Sequence, residues 1–237
     1  MRTRLAGALL LAWLAGHGLE AQQDESPNGI GAWYIYFADY GLSEKVSLHH
    51  EQHLHFHGTL QGFNRFVVRP GVNVRLSPNW VGSFVYSYMY SDPTFAEAGA
   101  PGEPFAGNKL QEHRLMEQAT LRTPLGHFGL SHRFRAEQRF FNNEGTRYSR
   151  FRMRYRALIT LPLGKTFYAN SEAEALMTPR DGINLDYRLG GSLGVRLSPH
   201  LRLQGGYVRF FLPNGQDERL KFIVLFTPDL RPKVIQP

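Results

Sequence analysis

The sequence predicts an all-β chain: a transmembrane, antiparallel, up-and-down β-barrel of ten or twelve strands behind a cleaved signal peptide. Three observations predict it. First, polar and apolar residues alternate with period two along most of the chain, which is strand and not helix periodicity. Second, the polar faces are ionic. In His127 to Phe140 one face carries Phe128, Leu130, Phe134 and Phe140, and the other Arg133, Arg135, Glu137 and Arg139. Third, no stretch after the start is a continuous apolar run long enough for a spanning helix, so a membrane protein of this kind can only be a closed barrel. A soluble, secreted lipocalin-like barrel stays open as an alternative, with the apolar face inward and the arginines in water.

The 237 residues carry a formal net charge of +7, 13% aromatics and no cysteine. The start, MRTRLAGALLLAWLAGHGLEA, places Arg2 and Arg4 before an apolar run from Leu5 to Leu14 and ends on Leu19-Glu20-Ala21. That is the pattern of a secretory signal cut after Ala21. The apolar run falls short of the ~20 residues that a spanning helix needs. Its removal takes two arginines and one glutamate and leaves the rest of the chain near +6. Residues 22–32 read as a flexible lead-in, 33–226 as the barrel and 227–237 as a tail.

Each strand has its own pattern. Trp33 to Tyr40 is the first, turned by Gly41-Leu42-Ser43. Lys45 to His57 sets Val46, Leu48, His50, Gln52, Leu54 and Phe56 against Lys45, His49, Glu51, His53, His55 and His57. Phe63 to Leu76 sets Phe66, Val68, Val72 and Val74 against Arg65, Arg69, Asn73 and Arg75, and ends on the turn Ser77-Pro78-Asn79. Trp80 to Tyr90 is so aromatic that its faces cannot be told apart. Ser91 to Asn108, rich in Pro, Gly and Ala, is the longest connection. Leu110 to Arg122 has Glu112, Arg114, Gln118 and Arg122 on its polar side. The strand from His127 follows, and Asn142 to Thr146 reads as a polar loop. Arg150 to Leu161 is the sharpest: Arg150, Arg152, Arg154 and Arg156 against Phe151, Met153, Tyr155, Ala157 and Ile159. Pro162 to Lys165 turns it. Phe167 to Leu176 bears Glu172 and Glu174, and Leu185 to Leu197 bears Asp186, Arg188 and Arg196. Leu201 to Leu212 loses phase at Gly205-Gly206, which predicts a bulge. Arg219 to Phe226 closes the series after a loop from Pro213.

Tight turns and longer loops alternate in this reading, as in outer-membrane barrels. Aromatics crowd the strand ends, where interface girdles sit: Trp33, Trp80, Tyr90, Phe140, Phe141, Tyr148, Phe167, Phe210 and Phe211. Eleven candidates conflict with the even strand number of bacterial barrels. Either the Trp33 strand packs beside ten others or a twelfth is hidden.

The pieces QEHRLMEQ (Gln111 to Gln118), LSHRFRAEQRF (Leu130 to Phe140) and RFRMRYRALITLPL (Arg150 to Leu163), with Trp33 and Gly206-Tyr207, resemble the family described as domain of unknown function 2490. These are small outer-membrane barrels of bacteria. The resemblance spans about residues 33 to 226 and implies a fold and a bacterial outer-membrane location, with no activity attached. Two features depart from the pattern: the histidine-rich second strand, and a tail that leaves Leu220, Phe222, Val224 and Phe226 short of the terminus.

The candidate site is the interior. Residues two apart on a strand lie ~6.8 Å apart and neighbouring strands ~4.8 Å apart. Arg150, Arg152, Arg154 and Arg156 therefore stand between Arg133, Arg135, Glu137 and Arg139 on one side and Glu172 and Glu174 on the other. That excess of cations requires water, anions or acids from other strands. It forms either a hydrated ion-pair network bracing the wall or a site or narrow conduit for an anionic solute. Around Pro124 two registers compete. A type I turn over Thr123 to Gly126 sets Arg114 against Arg135 and Glu112 against Glu137; a loop of Leu125-Gly126 sets Arg114 against Glu137 and Glu112 against Arg139.

His49, His53, His55 and His57 form a one-faced row, but a straight row offers about two metal ligands, and a polar lining is the simpler reading. Glu117 and His132 both fall on outward faces, which raises an outer-membrane hydrolase of lipid or peptide. Ser131 points the other way, and no nucleophile completes the pair. The expected partners are outer-membrane lipid and small anionic solutes, with no nucleic acid and no cofactor.

Overall fold

A computed structural model describes residues 30–92, 109–179, 183–212 and 215–231. The expected signal peptide, the lead-in up to residue 29, the connection 93–108 and the end of the tail lie outside the described residues. Eleven strands form: β1 Gly31–Gly41, β2 Val46–Phe56, β3 Phe63–Arg75, β4 Trp80–Ser91, β5 Leu110–Leu125, β6 Phe128–Asn143, β7 Thr146–Leu163, β8 Phe167–Pro179, β9 Ile183–Arg196, β10 Leu201–Leu212 and β11 Gly215–Phe226. Each pairs antiparallel with the next, and the sheet closes on itself where β1 meets β11.

The expectation of ten or twelve strands is therefore corrected to eleven. In an up-and-down meander of odd number the first and last strands run the same way, so they must pair parallel. β1 and β11 do so from Gly31 opposite Arg219 to Ala38 opposite Phe226. The Trp33 strand is part of the wall and not an extra beside it. The seam runs on into the tail: Gly41 N donates to Pro228 O at 3.0 Å and Leu230 N to Gly41 O at 2.9 Å. On the exposed tail Asp229 accepts from Arg231 Nε (2.8 Å) and Nη2 (2.6 Å), and these bonds draw its carboxyl down to about 2.

The alternation sorts the chain into two faces. Phe134, Phe140, Phe151, Met153, Tyr155, Ile159, Leu189 and Phe222 are exposed on the outside. Glu112, Arg114, Arg135, Glu137, Arg152 and Glu174 are buried inside. The soluble arrangement, with apolar residues central and arginines in water, is not the one found. β4 resolves too: Phe84 and Tyr86 are exposed outside, while Val85, Ser87, Met89 and Ser91 are buried inside.

Three local expectations fail for identifiable reasons. The β5–β6 hairpin uses neither proposed turn; it pairs Leu125 with Phe128, leaving Gly126-His127 as the loop. Gly126 stands first in that loop with φ 61°, the glycine-first pattern of a II′ turn that suits strand twist. Arg114 then faces Arg139, and Glu112 faces Phe141. Likewise the loop after β6 shrinks to Glu144-Gly145, both left-handed at φ 47° and 96°, so strict alternation of tight turns with longer loops does not hold. Finally, β10 has no bulge at Gly205-Gly206, because pairing runs unbroken to both neighbours. A Cβ on Gly206 would come within 2.4 Å of Gly191 O, so glycine is there for close approach. The apparent loss of phase is a change of lining: Val208 and Phe210 are apolar yet face inward.

The aromatic girdle also needs correction. Trp80, Phe140 and Phe167 are exposed outside, but Trp33, Phe141, Tyr148 and Phe210 line the interior. Trp33 stacks on His55 at 4.4 Å and meets Phe210 edge-on at 5.2 Å.

Candidate functional site

The interior holds a cavity of about 1210 Å³. Among the described residues, fourteen arginines and lysines line it against seven acids, and Glu137 buried among them makes eight. The positive charge of the chain is thus concentrated inside. Glu112, Glu137, Glu172 and Glu174 each serve two or more cations, because carboxylates are fewer and each offers about four acceptor positions.

Glu137, on β6, is fully buried. It accepts from Arg152 Nε (2.8 Å) and Nη2 (2.5 Å) and from Arg154 Nη1 (3.1 Å). Arg135 and Arg114 approach it at 3.7 and 3.9 Å. Glu174, on β8, accepts from Arg133 (2.8 Å) and Arg154 (2.5 Å), with Arg188 at 3.5 Å. Glu112 accepts from Arg139 Nε at 2.6 Å and Arg114 Nη2 at 2.7 Å. The neighbouring strands β6 and β7 set Arg133 against Arg156, Arg135 against Arg154 and Arg139 against Arg150. Like charges directly opposite repel, so the flanking glutamates hold this pair of strands together.

Glu172 reaches across two strands. It pairs with Lys221 of β11, and Arg156 lies 3.6 Å from its other oxygen. The crossing is possible because Gly190 lies beneath it; a Cβ there would sit 3.0 Å from Glu172 Oε1. A similar device lies further along β9, where the Tyr168 ring covers Gly194 and its hydroxyl accepts from Gln204 Nε2 at 2.9 Å.

The histidine row of β2 faces inward and splits among different partners. His49 Nδ1 lies 2.9 Å from Asp39 Oδ1 and its Nε2 3.1 Å from Glu51 Oε1; facing carboxylates on both sides, both nitrogens donate. His53 Nε2 donates to Glu51 Oε2 at 3.0 Å, and Arg69 Nη1 donates to the same oxygen at 2.6 Å. His55 stacks on Trp33, and His57 lies beside Asn64 at 3.4 Å. Among the described residues no three His, Asp or Glu side chains converge as a metal site.

Every arginine and glutamate named from the sequence for the interior site faces inward. Arg150 meets no acid among the described residues and instead lies over the rings of Tyr148 (4.8 Å) and Phe141 (5.6 Å). Sequence reasoning left Arg65, Arg69, Asp39, Asp217, Arg219 and Lys221 out of the site. The first two stand on an alternating polar face and could have been included. Arg219 and Lys221 alternate with Leu220 and Phe222, so the same period of two already set them on the inward face. On the outer wall Glu117 faces Ala136 while His132 faces Leu121. Four residues of strand separate those positions, about 13 Å. They form no acid–histidine pair; His132 Nδ1 instead meets Tyr155 OH at 2.7 Å.

Some donors are left over. Among the described residues, Nε of Arg133, Arg154, Arg156 and Arg188 is buried without a hydrogen-bond partner. Buried donors are normally satisfied, by protein or by something else.

The fold and interior define a closed, inside-out β-barrel with an apolar exterior and a cationic core. The family model for a protein of unknown function (DUF2490) matches residues 30–221, and the chain belongs to that family. No curated protein and no solved structure matches it.

Proposed function

We propose that the chain is a bacterial outer-membrane barrel whose basic lumen binds and passes small anionic solutes. Two features support the membrane. Each of β2 to β11 carries at least one exposed large apolar side chain, a run of neighbours around the wall where a soluble surface normally shows only scattered ones, and the first 21 residues read as an export signal. The observation that carries the anionic reading is the imbalance inside: fourteen cations against eight acids around one cavity, with several guanidinium donors unmet. A network serving only to brace the wall would be expected to balance its charges, since an uncompensated buried charge is strongly destabilising. Asparagine, glutamine and hydroxyl side chains line the part toward the tight turns, including Asn73, Gln118, Thr160, Asn170 and Gln204. They provide a polar, uncharged approach to the cationic zone.

Planar-bilayer recording in a salt gradient tests this. The expected reversal potential favours anions. Arg156 and Arg188 are the cations to reverse, because their nearest carboxylates lie at 3.6 and 3.5 Å, whereas Arg152 and Arg154 hold Glu137 in place. Arg156→Glu with Arg188→Glu is expected to abolish or invert the selectivity. Absence of current, or selectivity unmoved by the reversal, would remove the passage.

A further inference from the structure

The lumen has two unlike sides. At the parallel seam Ile35 of β1 lies beside Ile223 of β11, and Phe37 beside Leu225; all four line the cavity. The strand diametrically opposite is β6, five strands from β1 through β2 and five from β11 through β10. Barrel strands tilt by roughly 40°, so the hydrogen-bond register drifts along the strands with each step around the wall. Half-way round, that drift brings Arg133 and Arg135 to the height of Ile35 and Phe37. An apolar strip thus faces the arginine cluster across a barrel roughly 20 Å wide between backbones.

A bare inorganic anion would meet the unpartnered guanidinium donors and leave the strip against water. A molecule with one anionic head and one hydrocarbon chain satisfies both sides. The cavity of about 1210 Å³ has room for both parts, since small-molecule pockets usually run to ~300–1,000 Å³.

We propose that the lumen binds a single-chain anionic amphiphile, its carboxylate or phosphate head on the arginines of β6 and β7 and its chain along Ile35, Phe37, Ile223 and Leu225. This rests on the reading of the chain as a barrel with an anion-binding lumen and names the class of solute. Free fatty acids and single-chain phospholipids share the chemistry, so the head group is a variable of the test.

The test is equilibrium binding to the purified full barrel held in amphipol, with four probes: dodecanoate, dodecyl phosphate, butyrate and dodecyltrimethylammonium. Dodecanoate or dodecyl phosphate is expected to bind at least ~100-fold more tightly than butyrate, as burial of the extra methylenes requires, and at least ~10-fold more tightly than the cationic amphiphile. The tighter of the two anions identifies the head group. Ile35→Asn with Ile223→Asn is expected to cut the chain-length ratio to below ~10-fold, with heat-modifiable gel mobility as the check on folding. If that pair does not fold, Ile35→Ala with Ile223→Ala is expected to lower the ratio by about 10-fold. Equal affinity for butyrate and dodecanoate in a barrel that still selects anions overturns the amphiphile and leaves the anion lumen standing. Chain-dependent binding that ignores the seam variants also overturns it. Failure to bind any of the anions, together with loss of anion selectivity in bilayers, takes down both readings.

Discussion

At the scale of single residues, carboxylates shared among several guanidinium groups hold the interior together. Glu137 is the extreme case, fully buried and bonded by Arg152 and Arg154. Glu137→Gln removes the charge and leaves those arginines facing each other, so it is expected to destabilise the barrel by about 3–5 kcal/mol, read as a shift in the urea midpoint in lipid. Glu137→Leu with Arg152→Met keeps the net charge of the interior and leaves Arg154 its bond to Glu174, so it is expected to cost less than the single change. If the single and double variants were equally unstable, the carboxylate would not be what holds these strands. Gly194→Ala is a second test. Its Cβ would lie 2.2 Å from Cζ of Tyr168, forcing the ring off β9 and breaking its bond to Gln204, for about 1–3 kcal/mol. Periodicity showed which way each arginine points but could not show its partner. The bond from Glu172 to Lys221 spans β9 and β10, and only the glycine under it marks the crossing.

At the scale of elements, the seam between β1 and β11 is the feature the sequence reading missed. All eleven segments were visible as strands, yet the rule of even number argued against accepting the count. Alternation fixes the direction of side chains and is silent on which strands close a sheet. The parallel register predicts that Tyr36→Cys with Val224→Cys, on directly paired outward positions, oxidises readily to a disulfide. The chain has no other cysteine, so a gel-mobility shift reversed by reductant reports it; no crosslink would contradict the eleven-strand closure. Turn chemistry likewise outweighed charge in the β5–β6 hairpin, where both expected registers failed because Gly126 takes the left-handed loop position. In the β6–β7 hairpin a glutamate occupies such a position, at φ 47°. Glu144→Asn creates the Asn-Gly pair preferred in I′ turns and is expected to add about 0.5–1 kcal/mol of stability, measured as a raised denaturant midpoint.

At the scale of the whole molecule, one physical arrangement organises everything else: guanidinium groups enclosed by a wall whose outer surface is phenylalanine, tyrosine and leucine. It accounts for the positive cavity, for the glycine that lets Glu172 lie across strands, and for an apolar belt that no helix covers among the described residues. It was legible because ionic and apolar residues alternate so strictly in β6 and β7. The apolar inner strip was not, since Ile35 and Phe37 sit in a strand where both faces are apolar or aromatic. The most direct test uses the absence of native cysteine. Single cysteines at outward Phe134, Tyr155, Leu189 and Phe222, and at inward Arg135 and Arg156, each carry a fluorophore in barrels reconstituted into lipid. Nitroxide-bearing lipid should quench the outward set and leave the inward pair alone, while iodide in the aqueous phase should reach the inward label at Arg156 and not the outward set. Lipid quenching of the inward pair, or of no position at all, would contradict the account.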